Sequence, residues 1–134
     1  MAKLKDIEGV GRVYARKLKT AGVGSTDSLL KKGATVQGRR DIVRKSGLSR
    51  TKILQWVNHV DLFRVKGVGS EYADLLEAAG VDSIPELAQR KAARLYQKLA
   101  EVNRTKKLVR RLPGERQVAG WIKQAKKLPR RVDY

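Results

Sequence analysis

The tripeptide Gly-Val-Gly occurs twice, at residues 9–11 and 67–69, each time two residues after an aliphatic side chain (Ile7 and Val65). Glycine tolerates a positive φ and lets the backbone approach a ligand closely. Where a helix begins at such a turn, its first amide groups lack intrahelical partners and the positive end of its dipole is exposed. A phosphate group fits that position. The two motifs therefore predict phosphate-binding turns, although one isolated Gly-Val-Gly is equally typical of a tight connection between helices.

Two further turns have a related sequence. Gly47-Leu48-Ser49-Arg50 repeats the first turn at a displacement of 38 residues, and Ser49 can either cap the next helix or donate to phosphate. Leu112-Pro113-Gly114 occupies the corresponding place later in the chain, but Leu112 replaces the first glycine and Pro113 has no N–H. We therefore expect four turns of one design, the fourth of them degenerate.

The turns belong to an internal duplication. A displacement of 58 residues maps Tyr14 onto Tyr72 and Ala21-Gly22-Val23 onto Ala79-Gly80-Val81. Further along, the displacement becomes 65, because Trp56 corresponds to Trp121. Seven residues are thus inserted in the second copy, and we expect them within 91–103, lengthening a helix by nearly two turns.

Helical spacing dominates the sequence between the turns. Apolar residues recur every three or four positions, as in Leu95, Leu99 and Val102, and Gly22 and Gly80 stand where helices should stop. The segment 83–86 (Ser-Ile-Pro-Glu) is typical of a helix start. The predicted fold is all-α, with units at 1–60 and 61–128, packed together, and a basic tail at 129–134.

Residues 7–18 resemble the helix-hairpin-helix family, with Gly-Val-Gly preceding a second helix that carries Ala15 in its first turn. The resemblance extends over about residues 3–127 and implies two double helix-hairpin-helix units in tandem. It also implies that paired hairpins hold the two strands of a duplex across the minor groove. The chain is similar, too, to a family described only as a domain of unknown function built on this repeat.

The charge of the chain favours a polyanionic partner. Lysine and arginine number 31 against 13 acidic residues, a net charge of +18, and each neutralised phosphate releases counterions. Cysteine is absent, the first residues lack an apolar signal core, and no apolar run reaches the length of a membrane span. We expect a cytoplasmic, nucleoid or nucleoprotein-particle location, with no membrane and no small-molecule substrate.

The candidate nucleic-acid-binding residues are those of the turns and the basic side chains around them. They are Gly9, Val10, Gly11, Arg12, Arg16, Lys17, Gly47, Leu48, Ser49, Arg50, Lys52, Lys66, Gly67, Gly69, Ser70, Arg110, Arg111, Arg116 and Lys123.

The third turn differs from the first in its charge. Asp74 and Glu77 stand where the first copy has Arg16 and Lys19, and acidic side chains repel phosphate. For this turn a structural role is favoured, or docking of a protein partner on the acidic helix.

Other residue types that could do chemistry have simpler interpretations. Trp56 and Trp121 lie at helical spacing from apolar neighbours and are predicted to pack in the core, and His59 is expected at the surface or at a helix end. No clustered carboxylates, Ser/Thr-containing phosphate loop or second histidine suggests catalysis, a metal or a cofactor. The chain is therefore predicted not to be an enzyme.

The sequence favours sequence-nonspecific binding of duplex DNA, through turn amides and Arg/Lys contacts to phosphate, in an accessory or architectural role. Two alternatives remain open: a structured-RNA or ribosome-associated protein, and a protein-interaction subunit of a nucleoprotein or virion assembly.

Overall fold

The computed structural model describes residues 3–4, 7 and 9–134. These residues form eight helices and no strand, which confirms the all-α prediction for this part of the chain. The helices are α1 (Gly11–Thr20), α2 (Thr26–Gly33), α3 (Val36–Ser46), α4 (Arg50–Leu62), α5 (Ser70–Ala78), α6 (Ile84–Gln89), α7 (Ala92–Lys106) and α8 (Glu115–Lys127). In the described ranges no helix is long and apolar enough to span a membrane.

The chain divides into two compact units. Unit 1 comprises Met1–Asp61 together with Arg131–Tyr134, and unit 2 comprises Leu62–Arg130. The segment 131–134 therefore belongs to unit 1, although the 69 residues of unit 2 separate it in the sequence from the rest of that unit. Because Val132 is only 1% exposed, this segment is an integral part of unit 1.

The duplication is repeated in the local structure at the ends of α1 and α5. The amide of Val23 donates to Leu18 O at 2.9 Å, and that of Val81 donates to Leu76 O at 2.8 Å. Gly22 has φ +82° and Gly80 has φ +91°, a region that glycine enters without steric cost. The predicted left-handed stops are confirmed.

Each unit has its own tryptophan in the core. Trp56 is 4% exposed and Trp121 is 2% exposed, as the helical spacing predicted. Tyr14 packs on Trp56 and Tyr72 on Trp121, both pairs with ring centroids 5.3 Å apart and planes inclined by 51°. Aromatic rings prefer such tilted contacts to a face-to-face sandwich. The same aromatic pair therefore supports the first helix after the Gly-Val-Gly turn in both copies.

The insertion differs from its predicted form. Helix α7 has 15 residues against 11 in α3, and the connection after it spans 107–114 whereas the one after α3 spans only 47–49. Helix α6, with 6 residues, is shorter than α2, with 8. The additional residues are therefore shared between a helix and a loop, so the prediction that they lengthen one helix by nearly two turns was wrong. Loops absorb extra residues at little entropic cost.

His59 was expected at the surface or at a helix end. The surface position is wrong, since this side chain is 2% exposed, but His59 does lie at a helix end, in the last turn of α4. Residues 56–62 are all buried. A surface helix is identified by its alternating polar and apolar faces, and a helical segment that is covered on every side does not have them. The sequence of such a segment therefore does not show whether a single polar side chain is buried or exposed.

Candidate nucleic-acid interface

The first turn is exposed at both of its glycines. Gly9 has φ +86° and Gly11 has φ +61°, and no heavy atom of the described residues outside the immediate chain neighbours lies within 4 Å of the Cβ position of either one. Val10 between them is 3% exposed. The backbone of the turn therefore faces open space while its one side chain is inserted in the core, and this combination holds the turn in place.

Helix α1 begins at the second glycine of this turn. Its N-cap residue is Val10, and within the described residues no side chain caps the helix. The amides of the first turn of a helix have no intrahelical acceptor. Arg12, Arg16 and Lys17 are exposed on the same helix, and Arg12 and Arg16 share a face because they are four residues apart. Amide donors and positive charge therefore lie together at this helix end.

The second turn has the same exposure but fewer available donors. Gly47 is left-handed, with φ +76°, and Leu48 is buried. Ser49 Oγ accepts the amide of Lys52 at 3.2 Å, which confirms that this serine caps α4. The cap satisfies the amide of Lys52. In the first turn of α4 this leaves the amides of Arg50 and Thr51, which have no acceptor within the helix.

A contact that the sequence did not reveal connects these two turns. Lys52 Nζ lies 2.8 Å from Tyr14 Oη and 4.4 Å from the centroid of the Tyr14 ring. Tyr14 stands three residues after Gly11, and Lys52 three residues after Ser49, which is about 5 Å of helix in each case. The helices that follow the first and second turns are therefore connected by a side-chain contact one turn beyond their starts. The recurrence of Tyr14 as Tyr72 was the only sequence signal for this role.

The pKa of Tyr14 is lowered from its ordinary value. The hydrogen bond with Lys52 is the largest cause, the positive charge of Lys52 follows, partial burial acts in the opposite direction, and Lys17 makes the smallest contribution. Lys52, predicted as a phosphate ligand, is thus engaged with a tyrosine on the neighbouring helix.

The third turn is held by a side chain from α8. Gln124 accepts the amide of Lys66 at 2.8 Å through Oε1 and donates to Lys66 O at 3.2 Å through Nε2. Gly67 has φ +94°, and its Cβ position lies 3.1 Å from Trp121 Nε1. Gly69 is exposed and precedes α5, which has no side-chain cap in the described structure. Ser70, its first residue, is half-buried, and Lys66 is exposed.

Helix α5 places acidic side chains where α1 has basic ones. Glu71 is exposed, and Asp74 and Glu77 are half-buried. The third turn therefore shares with the first a left-handed first glycine and a buried valine. It differs in the acidic side chains that follow it and in the amide of Lys66, which Gln124 occupies.

The fourth turn is a loop rather than a glycine hairpin. Helix α7 ends at Lys106, and the residue that follows, Lys107, caps it with a left-handed φ of +51°. The side chain of Asn103 brackets Val109, donating to its carbonyl at 3.2 Å and accepting its amide at 3.0 Å. Tyr72 Oη donates to Arg111 O at 3.0 Å. The third and fourth turns are thus also brought together by a tyrosine, through a backbone carbonyl instead of a lysine.

The four predicted basic residues of this region are all exposed. Arg110 and Arg111 lie in the loop, and Arg116 and Lys123 lie on α8. The two on α8 are seven residues apart and so share one face. Their positive charges are carried by exposed side chains and do not depend on a glycine turn.

Among the residues that the structure describes, no group of three or more His, Asp or Glu side chains is placed to hold a metal ion.

Residues 8–128 match a family described as a domain of unknown function (DUF4332), and the chain belongs to this family. The expected similarity to an uncharacterised family is confirmed, whereas the helix-hairpin-helix basis of that family stays a prediction. No curated protein and no solved structure matches the chain.

Proposed function

We propose that this member of the DUF4332 family binds duplex DNA without reading its sequence, as an accessory or architectural protein, and that its units are two double helix-hairpin-helix modules in tandem. The observation that carries the proposal is the pairing of two exposed left-handed turns in unit 1, joined by the Tyr14–Lys52 contact. Each turn leads into a helix start, and the side chains of the two helices meet one turn beyond those starts.

The turns of unit 1 supply backbone donors in a fixed position. Amides at the start of α1 and α4 meet a phosphate oxygen, and the helix dipoles favour its negative charge. Val10 and Leu48, 3% and 6% exposed, hold the turns against the core. Because the donors need no rearrangement before binding, little conformational entropy is lost in the complex.

Arginine and lysine side chains extend these contacts along the phosphate backbone. Arg12, Arg16 and Lys17 flank the first turn and Arg50 follows the second, all exposed. Each phosphate that they neutralise contributes to affinity through counterion release. Contacts of this kind carry no base information. We expect weak nonspecific binding, with a dissociation constant of about 10⁻⁴ to 10⁻⁶ M at physiological salt.

Unit 2 contributes differently in this proposal. Its Gly-Val-Gly turn precedes the acidic helix α5, so the turn is assigned a mainly structural role. The exposed Arg110, Arg111, Arg116 and Lys123 add phosphate contacts of their own through their side chains. Unit 1 therefore supplies the turn contacts and unit 2 the additional positive charge.

The test is a titration of duplex DNA, duplex RNA and single-stranded DNA with the full chain at several salt concentrations. Replacing Arg12 and Arg50 together by Gln should make the salt dependence of duplex DNA binding shallower by roughly 1.8 in the log–log slope, since each phosphate contact contributes about 0.9. The matched control is Arg94→Gln with Lys98→Gln, which removes the same charge from exposed positions of α7 and should change the slope less.

An unchanged slope in the Arg12/Arg50 variant would remove these turns from the interface. Tighter binding of duplex RNA than of duplex DNA would instead support the structured-RNA alternative. No binding to any nucleic acid would leave the protein-interaction alternative.

A further inference from the structure

A cleft of about 400 Å³ in unit 1 is lined by α3, α4 and Tyr134. Its apolar side chains, Val36, Val43 and Leu54, are half-buried, whereas Arg40 and Arg50 are exposed. The apolar groups therefore lie deeper than the guanidinium groups. Sites for small molecules have volumes of roughly 300–1,000 Å³ and combine an apolar lining with a few polar groups, and this cleft satisfies both conditions.

Tyr134 is fixed in the cleft from both ends of its side chain. Its hydroxyl donates to Asn58 Oδ1 at 2.7 Å, and Asn58 is only 7% exposed. The preceding residue, Asp133, donates its amide to Ala34 O at 2.7 Å. Tyr134 nevertheless remains 54% exposed. An aromatic ring is thus held in a defined position with half of its surface available.

Arg39 also lines the cleft but is already committed within unit 1. Its guanidinium donates to the carbonyls of Gly33 at 2.8 Å and Ala34 at 3.3 Å, and to Asp133 O. Burial is the main cause that lowers its pKa, and Tyr134 and Asp133 act in the opposite direction. Arg39 therefore fixes segment 131–134 while it adds positive potential to the cleft.

Arg40 and Arg50 are the cations left to face a ligand. The nearby acid on α3, Asp41, is engaged by Arg44 at 3.4 Å and by Gln37 at 3.1 Å. A guanidinium group matches two phosphate oxygens at once and also stacks on aromatic rings. The cleft consequently offers an apolar interior, one fixed ring and two cations at its mouth.

We propose that this cleft binds a single nucleotide whose base is not paired: the base packs against Tyr134 and the apolar interior, and the phosphate meets Arg40 and Arg50. A base stacked within a duplex cannot enter a cleft of this size, but a nucleotide at the end of a strand can. When the nucleotide is the unpaired terminal residue of a duplex strand, the inference rests on the proposed function. A free nucleoside monophosphate has the same chemistry, and the experiment below separates the two sources.

The experiment measures binding of the full chain to a blunt duplex, to the same duplex with a one-nucleotide overhang, and to adenosine 5′-monophosphate alone. The readout is the ratio of overhang to blunt affinity, so that losses shared by both duplexes cancel. We expect a ratio of about 5 to 100, because stacking of one base on an aromatic side chain contributes about 1–3 kcal/mol. Adenosine monophosphate should compete with the overhang for the cleft.

Three variants locate the effect. Tyr134→Ala and Arg40→Gln should each bring the ratio close to one. Tyr134→Ala could also weaken the fold, but Arg40 is exposed, so Arg40→Gln should leave the fold intact. Lys45→Gln is the matched control. It removes an exposed cation from the same helix that does not line the cleft and leaves the Arg44–Asp41 pair in place, and the ratio should stay at the wild-type value.

A wild-type ratio of one without binding of adenosine monophosphate would overturn the inference, and so would a ratio that survives in both cleft variants. Binding of the nucleotide alone, lost in Tyr134→Ala and Arg40→Gln, would support the cleft even if no duplex is bound. That last outcome would refute the proposed function while keeping the nucleotide site.

Discussion

The first and third turns have the same tripeptide, yet they differ in the two properties that matter for phosphate. In the first turn both glycines have positive φ and α1 begins at Gly11, whereas Gly69 has a φ of −100° and α5 begins one residue later. The helix after the first turn carries Arg16 and the helix after the third carries Asp74. Sequence identity in a turn therefore determines neither where its helix starts nor the field around it.

Both copies nevertheless keep the same support beneath the turn. The Tyr14–Trp56 and Tyr72–Trp121 contacts agree in centroid distance and in angle. What differs is the group that the tyrosine hydroxyl meets, Lys52 in one copy and Arg111 O in the other. Buried packing was retained after the duplication while the exposed chemistry diverged, because a change in the core destabilises the fold and a change at the surface usually does not.

The largest effect should come from removing either tryptophan. Trp56→Ala and Trp121→Ala should each lower the free energy of unfolding by about 3–5 kcal/mol, measured by urea denaturation, because the two rings are equally buried. Hydrogen exchange should assign each loss to its own unit. Val13→Ala is the control, since Val13 is 65% exposed, and a well-tolerated replacement of one tryptophan would show that the copies are not equivalent.

Exchanging the charges of α1 and α5 tests whether the charge on the helix after each turn controls DNA binding. Arg16→Asp with Lys19→Glu should weaken duplex DNA binding by roughly tenfold or more at low salt, since two phosphate contacts become repulsive. Asp74→Arg with Glu77→Lys should strengthen binding by a smaller factor. Fluorescence anisotropy with a labelled duplex gives both values, and thermal denaturation checks that the folds are intact. Equal affinities for the two exchanged proteins would mean that neither turn contacts DNA.

The two second glycines provide a matched backbone test. Gly11→Ala should lower the free energy of unfolding by about 1–2 kcal/mol, because an L-residue in the left-handed region is strained. Gly69→Ala should cost only a few tenths of a kcal/mol, since its φ of −100° suits any residue and alanine is merely a poorer N-cap than glycine. Neither Cβ position lies within 4 Å of a heavy atom of another residue that the structure describes, so steric overlap with these residues does not complicate the difference. Comparable losses would contradict the assigned backbone conformations.

The smallest effect concerns the Tyr14–Lys52 contact. Tyr14 should ionise below the ordinary tyrosine pKa of about 10, and Lys52→Met should return its pKa towards that value, followed by phenolate absorbance in a pH titration. A pKa that is lower in the folded protein adds its full stability above the unfolded-state pKa, and this contribution is lost as the pH falls through the folded-state pKa. At neutral pH, where Tyr14 is protonated in both states, the substitution should therefore change the free energy of unfolding only through loss of the contact and not through ionisation of Tyr14. An identical titration curve in the variant would show that the two groups do not meet.

Much of the fold could be predicted because local patterns fix local structure. Helical spacing, the stops at Gly22 and Gly80, and the cap at Ser83, whose hydroxyl accepts the Glu86 amide at 3.3 Å, all depend on neighbours within one or two turns. The burial of Trp56 and Trp121 followed from the same spacing. His59 could not be placed in this way, since its burial depends on elements that cover α4 from several sides.

The candidate site was predictable only in part. The motif agrees with the positive φ of Gly9 and Gly67, but it did not distinguish Gly11, with a φ of +61°, from Gly69, with a φ of −100°. The sequence also left open whether Ser49 caps α4 or donates to phosphate. The engagement of Lys52 by Tyr14, and of the Lys66 backbone by Gln124, involves residues 38 and 58 positions apart. No local pattern encodes which of several lysines has a partner on a neighbouring helix.

The sequence alone determined the helices, the duplication, the glycine turns and the excess of positive charge, because each depends on residue type and on spacing along the chain. Only the tertiary structure decided which turn amides and cations are already engaged, and it alone assembled the Tyr134 cleft from residues about 80 to 100 positions apart. The physical reason is that hydrogen bonds and charges are satisfied by whatever lies within about 3–4 Å in space, and distance in space is set by packing rather than by order in the chain.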